Sequence, residues 1–351
     1  LRRVGAKVDV VIPHRIQDGY GLSLHLLQQA KEDGVDTILT CDNGIAAIDE
    51  IAWAKAQKMT VLVTDHHAVP FEEHEGRRTE KKSLADAVVN PHQQDCGYPY
   101  KELCGAGVAW NVIRVLYENY DMDKREAEDL LDFVAMATVC DVMSLTGENR
   151  ILVKEGLKRI RHTKNIGLQA LMQACNVQQE NISAYHFGYV LGPCVNATGR
   201  LDTARHALRP FETGQETEAE EIARDLVDLN QERKELTLQG VEMAKKLCEE
   251  GGYENDPVLV LFLPDVHESI AGLIAGRIRE MYNRPVFVLT RGEEGVKGSG
   301  RSTENYSMYE NMCGCAELFT KFGGHPMAAG LSLPEENVEK FRRKINENCP
   351  L

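Results

Sequence analysis

The chain has 351 residues, 43% hydrophobic and 27% charged, with a formal net charge of −14. That length predicts two domains and the balance is that of an ordinary globular protein, while the absence of any run of eighteen apolar residues, or of a charged segment leading into an apolar one, predicts neither a membrane span nor a secretory leader. The acidity excludes a nucleic-acid coat protein held by bulk charge, but not an enzyme acting on phosphodiesters, because a local set of cations and bound divalent ions sets the field there.

In chain order, "KVDVVIP" (7–13) reads as a strand and "GLSLHLLQQAKEDG" (21–34) as a helix ending at Gly34. "DTILTCDNG" (36–44) is a second strand, "AAIDEIAWAKAQK" (46–58) a helix, and "TVLVTDHH" (60–67) a third strand. A polar, loop-like insertion around 70–84 precedes a fourth strand, "ADAVVNP" (85–91). Strands alternating with helices predict a parallel sheet covered by helices on both faces, with ligands gathered at the carboxyl ends of the strands. The middle is helical, including "GAGVAWNVIRVLYENY" (105–120) and "AEDLLDFVAMATVCDVM" (127–143). A long charged helix over roughly 214–250 ends at Gly251-Gly252 and reads as a connector. From Pro257 a second α/β pattern follows: strands at 257–264, 285–290, 296–302 and 328–334, with helices at 267–282, near 308–322 and at 335–348. The fold class is therefore α/β, with a parallel-sheet domain over 1–165, a helical connector over 166–252 and a smaller α/β domain over 253–351.

Ten cysteines are scattered without a repeating spacing, which in a chain this long points to reduced thiols of a cytoplasmic protein. Cys313-Gly-Cys315 and the pair Cys96/Cys104 could each supply half of a zinc site, but neither has the CxxC spacing.

The chemistry concentrates in "TVLVTDHHAVP". Adjacent histidines inside a strand point to opposite faces, whereas at its carboxyl end the turning chain can aim both at one crevice. Asp65 precedes His66 and His67 at such an end, and Asp42, in "TCDNGI", stands at another, held by an Asn43-Gly44 turn. Asp141 follows the apolar run 130–140, where an acid needs a partner and a metal is one. Together Asp42, Asp65, His66, His67 and Asp141 form a carboxylate and imidazole set suited to Mn²⁺ or Mg²⁺ rather than to a structural zinc. Two such ions roughly 3.5–4 Å apart can activate a water and steady a phosphodiester's leaving oxygen.

"TDHH" after a parallel strand resembles the signature of the DHH phosphoesterases. It is accompanied by "IPHRIQDGYGL" (12–22), "CDNG" (41–44), "CGAGVAW" (104–110), "VCDVM" (139–143), "NATGRLD" (196–202), "GSGRS" (298–302) and "FGGHPMAAG" (322–330), the last belonging to the partner domain called DHHA1. The blocks cover essentially the whole chain, and their order resembles the family's bacterial single-stranded-DNA-specific 5′→3′ exonucleases. The resemblance implies a DHH domain joined by the long helix to a DHHA1 domain, with metal ligands at Asp42, Asp65, His66, His67 and Asp141 and catalytic chemistry at Asp65, His66 and His67. It implies substrate contacts from Arg15, Asn196, Arg200, Ser299, Arg301 and His325. It further implies single-stranded DNA as substrate in repair and recombination, a single-strand-binding protein or a helicase as partner, a monomer, and no membrane. The family's first motif, with aspartates after the first strand, is absent, so the two-metal site is expected to be incomplete in this chain and its activity weakened. Competing expectations are a DHH–DHHA1 phosphodiesterase for short oligonucleotides or cyclic dinucleotides, and a nucleic-acid-binding module without activity.

Overall fold

The computed structural model describes residues 1–13, 21–74, 77–201, 204–253, 255–292, 295–347 and 349, with only the backbone described at 74, 77, 78, 199–201 and 204. The chain divides into two units, Leu1–Asp228 and Leu229–Leu351.

In the first unit, β1 (Thr37–Leu39), β2 (Thr60–Thr64) and β5 (Ala87–Val89) form a parallel sheet in the order β1-β2-β5, while β3 (Phe71–His74) and β4 (Arg77–Glu80) pair as a separate antiparallel ribbon. Helices α1 (Leu24–Glu32) and α2 (Ile48–Ala56) pack on the sheet through Leu27, Ile51, Ala54, Met59, Val61 and Val63. Ser23 caps α1 by accepting from the Leu26 amide. α2 opens on Asp49 and Glu50 and ends near Lys55, the charge order its dipole favours. Lys55 also pairs with Asp86 at 2.6 Å, tying the helix to the start of β5.

The rest of this unit is helical: α3 (Gly105–Asn119), α4 (Lys124–Glu128), α5 (Leu131–Cys140), α6 (Gly147–Ile160), α7 (Ile166–Ala174), α8 (Ala184–His186), a π-helical turn (Phe187–Leu191), α9 (Gly192–Leu201) and α10 (Ala204–Glu212). Their core centres on Leu168, Leu171, Phe187 and Leu191, all fully buried, and each such side chain is worth about 1.5–3 kcal/mol relative to exposure. α11 (Glu216–Glu250) spans the boundary between the units; 35 residues at helical rise make it about 50 Å long.

The second unit is a five-stranded sheet in the order β6-β7-β8-β10-β9, from β6 (Leu259–Phe262), β7 (Val286–Gly292), β8 (Gly295–Arg301), β9 (Lys321–His325) and β10 (Ala328–Leu333). Only β6 and β7 run parallel. Alternation along β7 sends Val286 and Val288 toward α12 (Glu268–Tyr282), and Phe287 and Leu289 toward α13 (Met308–Cys313) and α14 (Val338–Glu347). Arg342 fastens α14: its Nε donates to Asp256 at 2.6 Å while the guanidinium lies 3.6 Å above the Tyr253 ring.

Four expectations are corrected. Residues 7–13 form no strand: Val11 is 66% exposed, and the Val8 and Val10 carbonyls accept from the Arg2 and Arg205 guanidinia instead of a neighbouring strand. The 70–84 stretch is the β3–β4 ribbon rather than a loop. The apolar helix over 127–143 is broken between α4 and α5 and ends at Cys140. The helix near 308–322 stops at Cys313, and Lys321–His325 forms β9, where pairing with β10 overrides the poor strand propensity of Gly323 and Gly324.

Candidate metal centre

Asp42 leaves β1 in the left-handed conformation (φ 65), which aspartate tolerates better than most residues. Its amide donates to the Thr64 carbonyl at 3.0 Å. The ends of β1 and β2 are stitched further by Thr40, whose hydroxyl donates to the Asn43 carbonyl and accepts from the Thr64 amide. Both strand ends are thus fixed before any ligating side chain is considered.

Beyond β2, Asp65 is 1% exposed. One carboxylate oxygen accepts from the Ile45 amide at 2.9 Å. The other accepts from the amides of His66 at 2.7 Å and His67 at 3.2 Å, and meets His67 Nδ1 at 2.7 Å. Burial pushes the Asp65 carboxyl up, but the hydrogen bonds from Ile45, the His67 ring and the two histidine amides outweigh it and hold the group below the usual aspartate value. The carboxylate therefore orients His67 and leaves that ring's Nε2 as its available ligand atom.

His66 Nε2 lies 3.1 Å from Asp42 Oδ1 and 3.4 Å from Asp141 Oδ2. The hydrogen bond to Asp42 raises the His66 pKa against the opposing effect of burial, and burial raises that of Asp141. Asp141 is the C-cap of α5, and the chain leaves the helix through Val142 at φ 57. Ligand atoms of Asp42, His66 and His67 lie within 4.8 Å of one another, the one such group among the described residues; no cysteine joins such a group there. The donor set fits a hard divalent cation: carboxylate oxygen and imidazole nitrogen, one ring already aligned by a buried acid, and two acids around a histidine whose shared proton an ion would replace.

Two family models match the chain, the DHH family N-terminal domain over residues 1–138 and the DHHA1 domain over residues 255–349. The solved structure of an exonuclease RecJ bound to manganese matches with a TM-score of 0.83 and 31% identity, covering 99% of this chain and 83% of that one. The chain belongs to the RecJ branch of the DHH–DHHA1 family. The RecJ of Haemophilus influenzae is 36% identical over 365 residues, 99% of this chain but 62% of that protein, so this chain spans about three-fifths of that relative's length. RecJ from Thermus thermophilus in complex with Mn²⁺ matches with a TM-score of 0.78 and 30% identity, covering 92% of this chain and 46% of that one.

The remaining RecJ-type blocks fall as follows. Ser299 and Arg301 share one face of β8, and α12 crosses them at Gly272, where a Cβ would lie 2.8 Å from Arg301 Nη2 and 3.5 Å from Ser299 Cβ. Ala328 of β10 pairs with both Arg301 and His325, and Gly330 pairs with both Ser299 and Gly323. Arg301 and His325 therefore stand in one cross-strand row, beside a second row in which Gly330 and Gly323 leave the surface open. Asn196 is exposed on α9. Arg15 and the side chain of Arg200 lie outside the described residues.

Two supporting residues went unnoticed in the sequence. Asn90, at the end of β5 and 1% exposed, donates to the His67 carbonyl at 2.9 Å and accepts from the His92 amide. Its signal was a polar residue closing a third parallel strand at the same sheet edge. Gly105, the first residue of α3, lies against Asp42; its signal was its place in the "CGAGVAW" block.

Proposed function

We propose that this protein is a divalent-metal-dependent exonuclease that hydrolyses the phosphodiester bonds of single-stranded DNA from a 5′ end. The observation that carries the reading is the convergence of Asp42, His66 and His67 at the carboxyl ends of β1 and β2, with Asp65 locking the His67 ring. Asp42, His66 and His67 would hold Mn²⁺ or Mg²⁺, with Asp141 closing the same site from α5. The bound ion would polarise the phosphodiester and lower the pKa of an attacking water. In this reading Asp65 positions the ring rather than binding the ion. Ser299, Arg301 and His325, together with Asn196, Arg200 and Arg15, contact the substrate, the arginines as forks on phosphate oxygens. RecJ relatives named for single-stranded-DNA-specific exonuclease activity, and RecJ structures holding Mn²⁺ or Mg²⁺, support it. We further place the protein in the cytoplasm as a monomer acting in repair and recombination beside a single-strand-binding protein or helicase.

The test is degradation of long 5′-phosphorylated single-stranded DNA carrying a 3′ label in Mn²⁺. Progressive 5′ shortening, resistance of the blunt duplex and abolition by EDTA are expected. Hydrolysis confined to dinucleotides or cyclic dinucleotides would overturn the assignment.

A further inference from the structure

The helical run from Ala184 to Leu201 has one face buried and one open. Phe187, Leu191, Cys194, Ala197 and Thr198 are buried, whereas Tyr185 and Tyr189 are 63% and 73% exposed. Their rings stack on each other, centroids 5.2 Å apart and planes 25° apart. Asn196, two turns beyond Tyr189, is exposed on the same run. Single exposed apolar residues need no explanation, but two aromatic side chains stacked in solvent forgo burial that aromatics ordinarily obtain.

This run packs on the end of α5 that carries Asp141. The Cys140 thiol donates to the Phe187 carbonyl at 3.4 Å. A Cβ on Gly188 would lie 3.4 Å from Val139 Cγ1, and one on Gly192 would lie 2.4 Å from Cys140 Sγ. The π turn thus packs by its backbone onto the last turn of α5, the turn that presents Asp141 to His66. Upstream, a capping box between Ser183 and His186 fixes the start of the run. A π turn in a helix commonly marks a functional position, because the extra residue re-aims side chains on either side of it.

We infer that Tyr185 and Tyr189 form a stacking platform for the bases of a single strand passing toward the metal centre. The inference rests on the single-stranded-DNA reading above and adds to it a sequence-independent grip on bases, distinct from the arginine grip on phosphates. Every base offers a π-face, so such a platform serves a nuclease that must accept any sequence.

The test is fluorescence anisotropy of a labelled oligothymidylate binding to the protein in EDTA, where no cleavage occurs. Tyr185→Ala with Tyr189→Ala should raise Kd about tenfold or more, while the double Tyr→Phe variant stays near the unmodified protein. The salt dependence of binding should keep its slope, since no phosphate contact is lost. An oligonucleotide with abasic positions should bind the unmodified protein more weakly and the double alanine variant no more weakly still. An unchanged Kd in the alanine variant, or a phenylalanine variant as weak as alanine, would overturn the platform. Failure of the unmodified protein to bind single-stranded DNA would instead overturn the functional reading on which it stands.

Discussion

Gly105 lies so close to Asp42 that a Cβ there would fall 2.4 Å from Oδ1 and 2.5 Å from Cβ and Cγ. The first residue of α3 thus sets where the Asp42 carboxylate can stand, and the positive end of a fifteen-residue helix abuts that acid. Gly105→Ala should displace Asp42 and weaken Mn²⁺ binding about 10- to 100-fold, the range for lost support of a ligand. Isothermal titration with Mn²⁺, beside an unchanged circular dichroism spectrum, checks this; undiminished affinity would contradict the packing account.

Asp65 differs from its neighbours in what its loss removes. Alanine there strips the acceptor from three amides and a ring nitrogen at a buried position. At about 1–3 kcal/mol per orphaned buried donor, Asp65→Ala should lower stability by several kcal/mol as well as disorganise His67. Asp65→Asn, which keeps the shape and one acceptor oxygen, should unfold at a urea midpoint nearer the unmodified protein. Equal midpoints for the two variants would show that these hydrogen bonds do not hold the loop.

Val142 occupies the left-handed position that ends α5, with its amide donating to the Val139 carbonyl and the Met143 amide to that of Thr138. This is the Schellman closure, usually given to glycine, and a β-branched residue there is strained by about 1–2 kcal/mol. Val142 is 88% exposed, so no packing is lost on its replacement. Val142→Gly should raise stability by about 1 kcal/mol net of glycine's extra chain entropy, read as a higher melting temperature.

Asp132 of α5 is buried, and one of its oxygens has no hydrogen-bond partner among the described residues. Burial raises its pKa, with a Thr163 hydrogen bond and the Arg159 charge opposing. The folded state therefore holds the proton more tightly than the unfolded chain does. The stability this contributes is fully present below the ordinary aspartate pKa of about 4, and is lost as pH rises through the raised folded value. Asp132→Asn should flatten that fall, which urea midpoints at acid and neutral pH would reveal; parallel curves would contradict it.

The legible parts were those whose cause is local. β2 is a short apolar run followed directly by Asp-His-His, and the Asn43-Gly44 turn after Asp42 needs no distant partner. The failures share a cause in long-range contacts. "KVDVVIP" has a strand's composition, but the Val10 carbonyl is bonded to Arg205, 195 residues away. Gly105 and Asn90 matter only through Asp42 and His67, which lie 63 and 23 residues upstream of them. Asp65 was legible as a member of the site, but the hydrogen bonds its carboxylate accepts from Ile45, His66 and His67 are not written in spacing.

The central claim is that Asp42, His66 and His67 hold a divalent ion. Crystals grown with Mn²⁺ and measured at the manganese edge test it most directly. The account predicts an anomalous peak at coordination distance from an Asp42 oxygen, His66 Nε2 and His67 Nε2, lost in His66→Ala. A peak ligated by other residues, or one that persists unchanged in that variant, would contradict it.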